Sequence, residues 1–487
     1  MATSELRVLP PTPSEATKEE VPWRFDIFAR WPWMKRLVRM RSFQFLLILP
    51  NLALFYFFLM SAVFGTPVGN RNIIIVFVWI LWWVVLIAAL VPLGSRAWCT
   101  MCPLPFFGDW LQRRAVIRVR SGKSPGTENK FFGLQKRWPK KLSNIWLQNL
   151  GFLFLATFSA LLVTRPMVSM ILFAFMIILA AGMGLVYRLR TFCNYVCPIS
   201  GFLSLYAMTS TIELRHVSNN ECLKCKTKSC IRGSDKGWAC PWGVYMGKLD
   251  RNNYCGLCFE CVKSCPNDNI SLFARPFGTS DVILHGYDEV WKACIMLVLA
   301  LSYSLVLLSP WGLFKNWANV SEMHNYGGFA TYAVGQMLLA LVIFPGIYYL
   351  TIRLAKWYAK ADNITTKELF LKYAYMLVPM GLLAWIAFSI PLIMVNGSYI
   401  ISVISDPMGW GMNLFGTAEF PWTPLKPNWV PHLQVPILLT GLYYGLRGLH
   451  KVGRGLFSDP VQLRRSLVPP AVLLLGVTLV FLRLFIG

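Results

Sequence analysis

The chain has 487 residues, of which 56% are hydrophobic and 14% are charged, and its formal net charge is +25. A soluble globular protein carries about 25% charged residues, so this composition excludes an ordinary soluble domain and indicates long apolar segments. The distribution of the positive charge, described below, argues against a nucleic-acid partner.

Residues 1–42 precede the first apolar run, and we expect no cleavable signal peptide in them. Residues 1–20 are polar and contain proline, so we expect them to be disordered or to lie across a partner. Residues 23–42 mix Trp, Phe and Arg, a composition that favours the headgroup region of a membrane. We therefore predict a cytoplasmic tail followed by an interfacial segment.

Nine apolar runs follow, each about 20 residues long, which is the length that crosses a hydrocarbon core of about 30 Å. The runs are 43–65, 72–94, 146–164, 167–187, 291–314, 327–350, 371–396, 429–448 and 467–486. Buried helices of a soluble protein would not repeat this length nine times with almost no charge. The sequence therefore predicts an all-α polytopic membrane protein of about nine spans.

The basic residues are distributed unevenly between the loops that these spans define. If the N-terminus is inside, 42 of the 47 Lys and Arg residues lie in cytoplasmic segments. Only five lie outside: Arg71, Arg165, Lys315, Lys426 and Arg483. This asymmetry follows the positive-inside rule. It predicts a cytoplasmic N-terminus and an external C-terminus, and it explains the net charge without nucleic acid.

Two cysteine pairs, each ending in proline, follow the second and the fourth span. They are Cys99 with Cys102, and Cys193 with Cys197. Two helices followed by a cysteine pair form a weak internal repeat, and both pairs are predicted at the same membrane face. We hypothesise that these four thiols hold a third [4Fe–4S] cluster. A redox-active dithiol or disulfide, a soft metal such as Cu(I) or Zn, and structural thiols remain alternatives.

Eight further cysteines lie between residues 222 and 265. The second half of this stretch has the spacing C-x2-C-x2-C-x3-C-P of bacterial ferredoxins, in which the fourth cysteine binds the other cluster of a pair. The first half is the same motif with two extra residues before the third cysteine and a longer insert before the fourth. Exchanging the fourth ligands gives cluster 1 on Cys222, Cys225, Cys230 and Cys265, and cluster 2 on Cys255, Cys258, Cys261 and Cys240.

Zinc and disulfides explain this spacing less well. A zinc site needs only four ligands, which two CxxC pairs would supply. It would not explain the third and fourth cysteines of each motif or the two Cys-Pro endings. Disulfides are rare in the reducing cytoplasm. We therefore predict a two-cluster ferredoxin-like α+β insert between the fourth and fifth spans.

The C-terminal part carries little recognisable chemistry. Cys294 is its one cysteine, and a lone cysteine in a membrane helix is most often a small buried hydrophobe. We do not expect haem, because His324 and His432 are the one pair predicted on the same side and His324 falls in a loop. The predicted domains are 1–42, 43–190, 191–277 and 278–487.

Residues 40–275 resemble the membrane-bound polyferredoxins: the quinol-dehydrogenase membrane subunit of periplasmic nitrate reduction and the C-terminal half of the nitrous-oxide reductase regulatory flavoprotein. The resemblance rests on the order of two spans, a Cys-Pro pair, two spans, a second pair and a two-cluster ferredoxin. In that family the pairs are CxxxCP, which Cys193 and Cys197 match, whereas Cys99 and Cys102 are one residue closer. We expect no flavin domain before the first span of this chain, and the four-span members of that family have no counterpart of its spans five to nine.

The resemblance implies a cytoplasmic-membrane protein of a prokaryote that relays electrons between the quinone pool or a cytoplasmic donor and a partner redox enzyme. Its partners would be other subunits of a membrane complex, with a soluble ferredoxin or a quinone as electron carrier. Because the sequence contains no acid–base or nucleophile constellation, we expect an electron-transfer subunit rather than a stand-alone catalyst. The alternative is a redox-sensing or metalloenzyme maturation factor that uses the Cys-Pro pairs for metal or thiol chemistry.

Overall fold

A computed structural model describes residues 23–120, 129–278, 283–307 and 312–486, so the tail at 1–20 lies outside the described residues. The chain divides into two compact units. Unit 1 comprises Met1–Tyr56, Leu90–Ile145 and Phe173–Asp281, and unit 2 comprises Phe57–Ala89, Trp146–Leu172 and Val282–Gly487.

Seven helices in the described residues are long and apolar enough to cross a membrane. They are Phe43–Phe64, Ile75–Gly94, Pro166–Val186, Tyr287–Leu307, Tyr326–Ala359, Thr366–Asn396 and Pro460–Ile486. The described part of the chain is mostly helical with one small sheet, and these helices indicate a membrane protein. The prediction of a helical membrane protein is confirmed at this level.

The other two predicted spans are also helical, but they differ from the seven. Residues 146–164 form two helices, Trp146–Thr157 and Ser159–Thr164, so neither is long enough alone. The helix Val430–Arg454 carries Lys451 and Arg454 in its last turn and is less apolar. The count of nine spans stays a prediction.

Unit 1 contains a three-stranded antiparallel sheet of order β1-β3-β2, formed by β1 (Phe25–Asp26), β2 (Ile212–His216) and β3 (Ile270–Ala274). Ala274 pairs with Phe25 on one side and with Ile212 on the other. The segment predicted to lie at the membrane interface thus contributes β1, and two residues later Phe28 packs against the ring of Phe259.

Short helices position the cysteines of unit 1. These helices are Ile27–Arg30, Pro32–Arg39, Ala97–Met101, Phe106–Arg113, Lys140–Leu142, Phe192–Val196, Pro198–Tyr206, Ala207–Thr209, Asn219–Lys224, Ser229–Arg232, Met246–Lys248, Asn252–Tyr254 and Glu260–Ser264. The helix with Gly108 packs closely on the end of Pro166–Val186, because a Cβ at Gly108 would lie 2.9 Å from the carbonyl oxygen of Ala180. This contact holds the chain after the first cysteine pair next to the helix that precedes the second.

Unit 2 has an aromatic core around Trp385, which is fully buried and whose indole N–H donates to the carbonyl of Met296 at 2.9 Å. The rings of Trp83, Phe152, Tyr303 and Phe388 pack on it. Shorter helices in this unit are Gly69–Arg71, Gly312–Ala318, Val320–Met323, Tyr399–Ser405 and Pro427–Trp429.

Glycines allow the helix Val430–Arg454 to pack closely in unit 2. Gly441, Gly445 and Gly448 lie on one side of this helix and are buried. A Cβ at Gly445 would lie 2.9 Å from the carbonyl oxygen of Met376. Small residues of this kind let helix backbones approach each other in a membrane.

Candidate iron–sulfur sites

All thirteen cysteines are free thiols. Twelve of them, all except Cys294, lie in unit 1. The structure arranges these twelve in three groups of four, which we call sets 1, 2 and 3.

Set 1 consists of the four cysteines predicted for cluster 1, which lie near Tyr245. Burial and four nearby thiolates raise the pKa of the Tyr245 hydroxyl to about 12. These four are Cys222, Cys230, Cys225 and Cys265. Because charges act on a neighbour's pKa mainly over short separations, the four thiols lie close together around this ring.

Asn269 connects the two halves of set 1. Its side-chain Nδ2 donates to Cys222 Sγ at 3.3 Å, and its backbone N–H donates to Cys265 Sγ at 3.4 Å. The same side chain is fixed in place by donating to the carbonyl of Ser218 at 2.6 Å. Donors to ligand sulfur orient the ligands and tune the potential of a bound cluster.

Set 2 consists of the four cysteines predicted for cluster 2, with Cys261 near all the others. Burial raises the pKa of the Cys261 thiol well above its ordinary value, and the charges of the other three members raise it further. These are Cys258, Cys255 and Cys240. Cys230 of set 1 also acts on Cys261, so sets 1 and 2 are adjacent.

Backbone amides surround the sulfur atoms of set 2. Burial raises the pKa of Cys240 to about 11, although hydrogen bonds from the backbone of Val244, Trp242 and Gly243 oppose the increase. Leu257 adopts a left-handed backbone conformation with φ 51°, and its amide bonds to Cys255. A loop of inward-pointing amides of this kind favours negative charge.

Set 3 consists of the two Cys-Pro pairs. Burial raises the pKa of Cys193 well above its ordinary value, and the charges of the other three members raise it further. These are Cys197, Cys102 and Cys99. Cys197 caps the helix that follows it, because its sulfur accepts the backbone N–H of Ser200 at 3.4 Å. The structure therefore brings together the two Cys-Pro pairs, which the internal repeat predicted to lie at the same membrane face.

A buried ion pair lies between sets 2 and 3. Arg190 donates from Nε and Nη2 to Asp109 Oδ2 at 2.9 and 2.6 Å. The pKa of Asp109 is lowered, because the charges of Arg190 and a second arginine outweigh the effect of burial. The pKa of Arg190 is raised overall. Burial lowers it, but the negative charge of Asp109 has a larger effect in the opposite direction, and Cys193 of set 3 and Cys258 of set 2 raise it further.

No group of three or more Cys, His, Asp or Glu side chains that could hold a metal ion occurs in the described part of the chain. Ligands of a single zinc ion converge on one atom at about 2.3 Å from each sulfur. In a cubane each thiolate binds a different iron, so its ligands stand farther apart. The three sets are thus groups of neighbouring thiols and not single-ion sites.

Two observations in these sets fit a [4Fe–4S] cluster. The first is the donor set itself: four buried or half-buried thiols that lose their protons when iron binds. The second is a pair of buried N–H groups without an acceptor, Arg96 Nε and Trp242 Nε1. Trp242 packs against Gly256, the residue after Cys255. Buried donors are normally paired, and cluster sulfur would supply the missing acceptor.

Comparison with known proteins agrees with this interpretation. Residues 75–124 and 168–210 match the family described as "4Fe-4S binding domain". These segments contain the four cysteines of set 3, not the ferredoxin-like stretch. The match supports an iron–sulfur chain of ferredoxin type with an electron-transfer role.

Two uncharacterized proteins of Methanocaldococcus jannaschii are similar to this chain. One is 36% identical over 81 residues, which cover 16% of this chain and 29% of the relative. The other is 26% identical over 183 residues, which cover 37% of this chain and 66% of the relative. The chain thus spans less than two thirds of the length of either relative. No solved structure matches it.

Unit 2 contains an open cavity of about 560 Å³ with aromatic walls. Its lining includes Tyr287, Trp291, Tyr349, Phe370 and Lys367. Small-molecule sites typically have volumes of about 300–1,000 Å³ with mostly apolar walls and a few polar groups, and this cavity has those properties.

The sequence prediction missed the residues that support the thiols. Asn269 follows the last cysteine motif as part of the polar run Pro-Asn-Asp-Asn, which is the one signal that could have identified it. Tyr245 and Arg96 have no such signal. His324 and His432, the pair considered for haem, are both exposed.

Proposed function

We propose that this chain is a membrane-bound iron–sulfur electron-transfer protein that relays electrons between the quinone pool or a cytoplasmic donor and a partner redox enzyme. One observation carries the proposal: twelve thiols form three adjacent sets of four within one compact unit. Set 1 adjoins set 2 through Cys230 and Cys261, and set 2 adjoins set 3 through Arg190. Neighbouring centres of this kind suit electron relay.

The proposed cofactors are two [4Fe–4S] clusters, bound by sets 1 and 2, and a third, bound by set 3. A bound cubane accepts and releases one electron at a time. The residues of this chain would hold the clusters close together, keep water away by burial, and set their potentials through donors such as Asn269 and the amides around Cys240.

The sheet in unit 1 supports the proposed topology. Because β1 and β2 belong to one sheet, residues 26 and 212 must lie on the same side of a membrane. An even number of crossings must therefore separate them. Three long helices occur in this interval. In the proposed topology the helix pair at 146–164 makes the fourth crossing. With five further crossings this gives the nine-span topology, with the N-terminus and thiols in the cytoplasm and the C-terminus outside.

The aromatic cavity in unit 2 supports a quinone as electron carrier. Its volume and walls suit a flat, partly apolar ring, and Lys367 could donate to a quinone oxygen. Under the proposed topology, Tyr287 and Lys367 both lie near the cytoplasmic ends of their helices.

The test is to measure iron and acid-labile sulfide per chain in anaerobically purified protein, with EPR of the reduced sample. We expect about twelve irons in the native protein and about eight in the double variant Cys99→Ser/Cys197→Ser, counting four irons per cubane. Cys294→Ser, which alters a cysteine outside the three sets, is the matched control and should retain about twelve.

Two other outcomes would change the assignment. About eight irons in all three proteins would leave set 3 without a cluster. Copper binding at set 3 together with oxygen-triggered cluster loss would then favour a redox-sensing or maturation factor. Little or no iron in the native protein would overturn the proposed function.

A further inference from the structure

Arg96 is a buried cation beside set 3. It directly precedes the helix Ala97–Met101, which carries Cys99, and its residue exposure is 3%. The guanidinium of Arg remains protonated in proteins, so this position places a permanent positive charge in the interior of unit 1.

The contacts of Arg96 reach both cysteine pairs of set 3 and the loop of set 2. Nη2 donates to Ser200 Oγ at 2.6 Å and lies 3.8 Å from Cys99 Sγ. Nη1 donates to the carbonyl of Asn253. The guanidinium also lies 4.2 Å from the ring centroid of Trp242, a cation–π contact.

These partners are direct neighbours of cluster ligands. Ser200 is in the first turn of the helix that Cys197 caps, and Asn253 precedes Cys255 by two residues. Arg96 therefore stands between set 3 and set 2.

In the part of the chain that the structure describes, no carboxylate pairs with Arg96. Arg190, which is equally buried and also lies between the two sets, pairs with Asp109. A buried charge without a counter-charge is strongly unfavourable. Since Arg96 Nε also lacks an acceptor, the site indicates that a negatively charged group is bound beside it.

We propose that Arg96 is a positioning residue that supplies the counter-charge for the clusters of sets 3 and 2 and thereby raises their reduction potentials. This inference rests on the proposed function. Reduction by a one-electron donor, such as dithionite in a titration, adds one negative charge to a cluster and neither forms nor breaks a bond. A fixed cation in a low-dielectric site stabilises that added charge, so the reduced form becomes more favourable.

The test is a redox titration followed by EPR on the full-length protein and three variants. Arg96→Gln removes the charge and keeps hydrogen-bonding capacity. Arg96→Lys keeps a charge but loses the planar fork that joins Ser200 to Asn253. Arg118→Gln, at an exposed position in the same unit, removes one charge that solvent screens.

We expect Arg96→Gln to raise the oxidised-to-reduced ratio of at least one cluster by about tenfold at a fixed potential. For a one-electron couple this corresponds to a reduction potential that is about 59 mV more negative. Arg96→Lys should give a smaller shift in the same direction, and Arg118→Gln none. Loss of iron from Arg96→Gln but not from Arg96→Lys would equally support the counter-charge role.

Identical titrations of the native protein and Arg96→Gln at equal iron content would overturn the inference and leave the proposed function intact. Loss of iron from both Arg96 variants with an unchanged circular-dichroism spectrum would also overturn it, because Arg96 would then be needed for structure and not for its charge. Absence of iron from the native protein would instead count against the proposed function.

Discussion

Gly256 lies between two cysteines of set 2, Cys255 and Cys258, where a Cβ would come within 2.0 Å of the Trp242 indole nitrogen. Trp242 is buried and lies under the guanidinium of Arg96, so it cannot move aside easily. We predict that Gly256→Ala loses about four irons per chain, the content of one cubane, as measured by iron analysis and EPR. Gly182→Ala is the control, because a Cβ at Gly182 meets nothing within 4 Å. Full iron content in Gly256→Ala would show that the loop tolerates a side chain.

Asp109 neutralises Arg190, and removing its charge would leave a buried guanidinium without a counter-charge. We predict that Asp109→Asn lowers the free energy of unfolding by about 3–5 kcal/mol, measured by thermal unfolding in detergent. Asp235→Asn, at an exposed carboxylate, is the control and should change little. An equal effect of both substitutions would contradict the role given to the ion pair.

The same ion pair predicts an acid dependence. Because the pKa of Asp109 is lowered from its ordinary value of 3.8, its stabilisation is complete above that pH and is lost as the pH falls through the lowered value. Asp109→Asn should remove this contribution to acid unfolding.

At the residue scale the sequence predicted the cysteines but not the side chains that serve them. Cysteine spacing reports local loop geometry, so sets 1 and 2 could be proposed from it, and set 3 could be proposed from the internal repeat. The structure brings the members of each set together, and cluster binding by these cysteines stays a prediction. Arg96 and Ser200 are 104 residues apart along the chain, and no local pattern connects them. Partners of this kind depend on the tertiary fold.

At the scale of elements, Gly346 lines the aromatic cavity from the helix Phe344–Ala359, and its Cβ position is open. We predict that Gly346→Phe fills the cavity without displacing a neighbour and slows reduction of the clusters by a short-chain quinol at least tenfold. Gly335→Phe is the matched control, since Gly335 is also helical with open space at its Cβ position and does not line the cavity. Equal rates in both variants would exclude the cavity as the quinone site.

The helices were largely predictable from the sequence, because apolar runs of about 20 residues commonly form membrane-spanning helices and rarely any other structure. The run at 146–164 was predicted as one span, and the structure interrupts it only at Phe158. The backbone N–H of Phe158 still donates to the carbonyl of Phe154, and its own carbonyl accepts from Leu162, as in a continuous helix. Strand β1 was not predictable, because a two-residue strand has no periodicity and forms only where β3 offers an edge.

At the scale of the whole molecule, the sheet requires an even number of crossings before residue 212. We predict that alkaline phosphatase, which is active outside the cytoplasm, is active when fused after Arg165 and inactive when fused after Lys141. Fluorescent-protein fusions at the same positions should give the opposite result. Activity after both positions, or after neither, would mean that 146–164 does not cross the membrane.

Strand β1 also has a consequence for biosynthesis. Its partner β3 is translated about 250 residues later, which is roughly 10–50 s at ordinary ribosome speeds, and the intervening chain includes both cysteine pairs and all eight ferredoxin-type cysteines. The sheet can close only after this stretch has left the ribosome. Attachment of the N-terminal segment is therefore a late event in maturation, and it marks a chain whose iron-binding region has been completely synthesised.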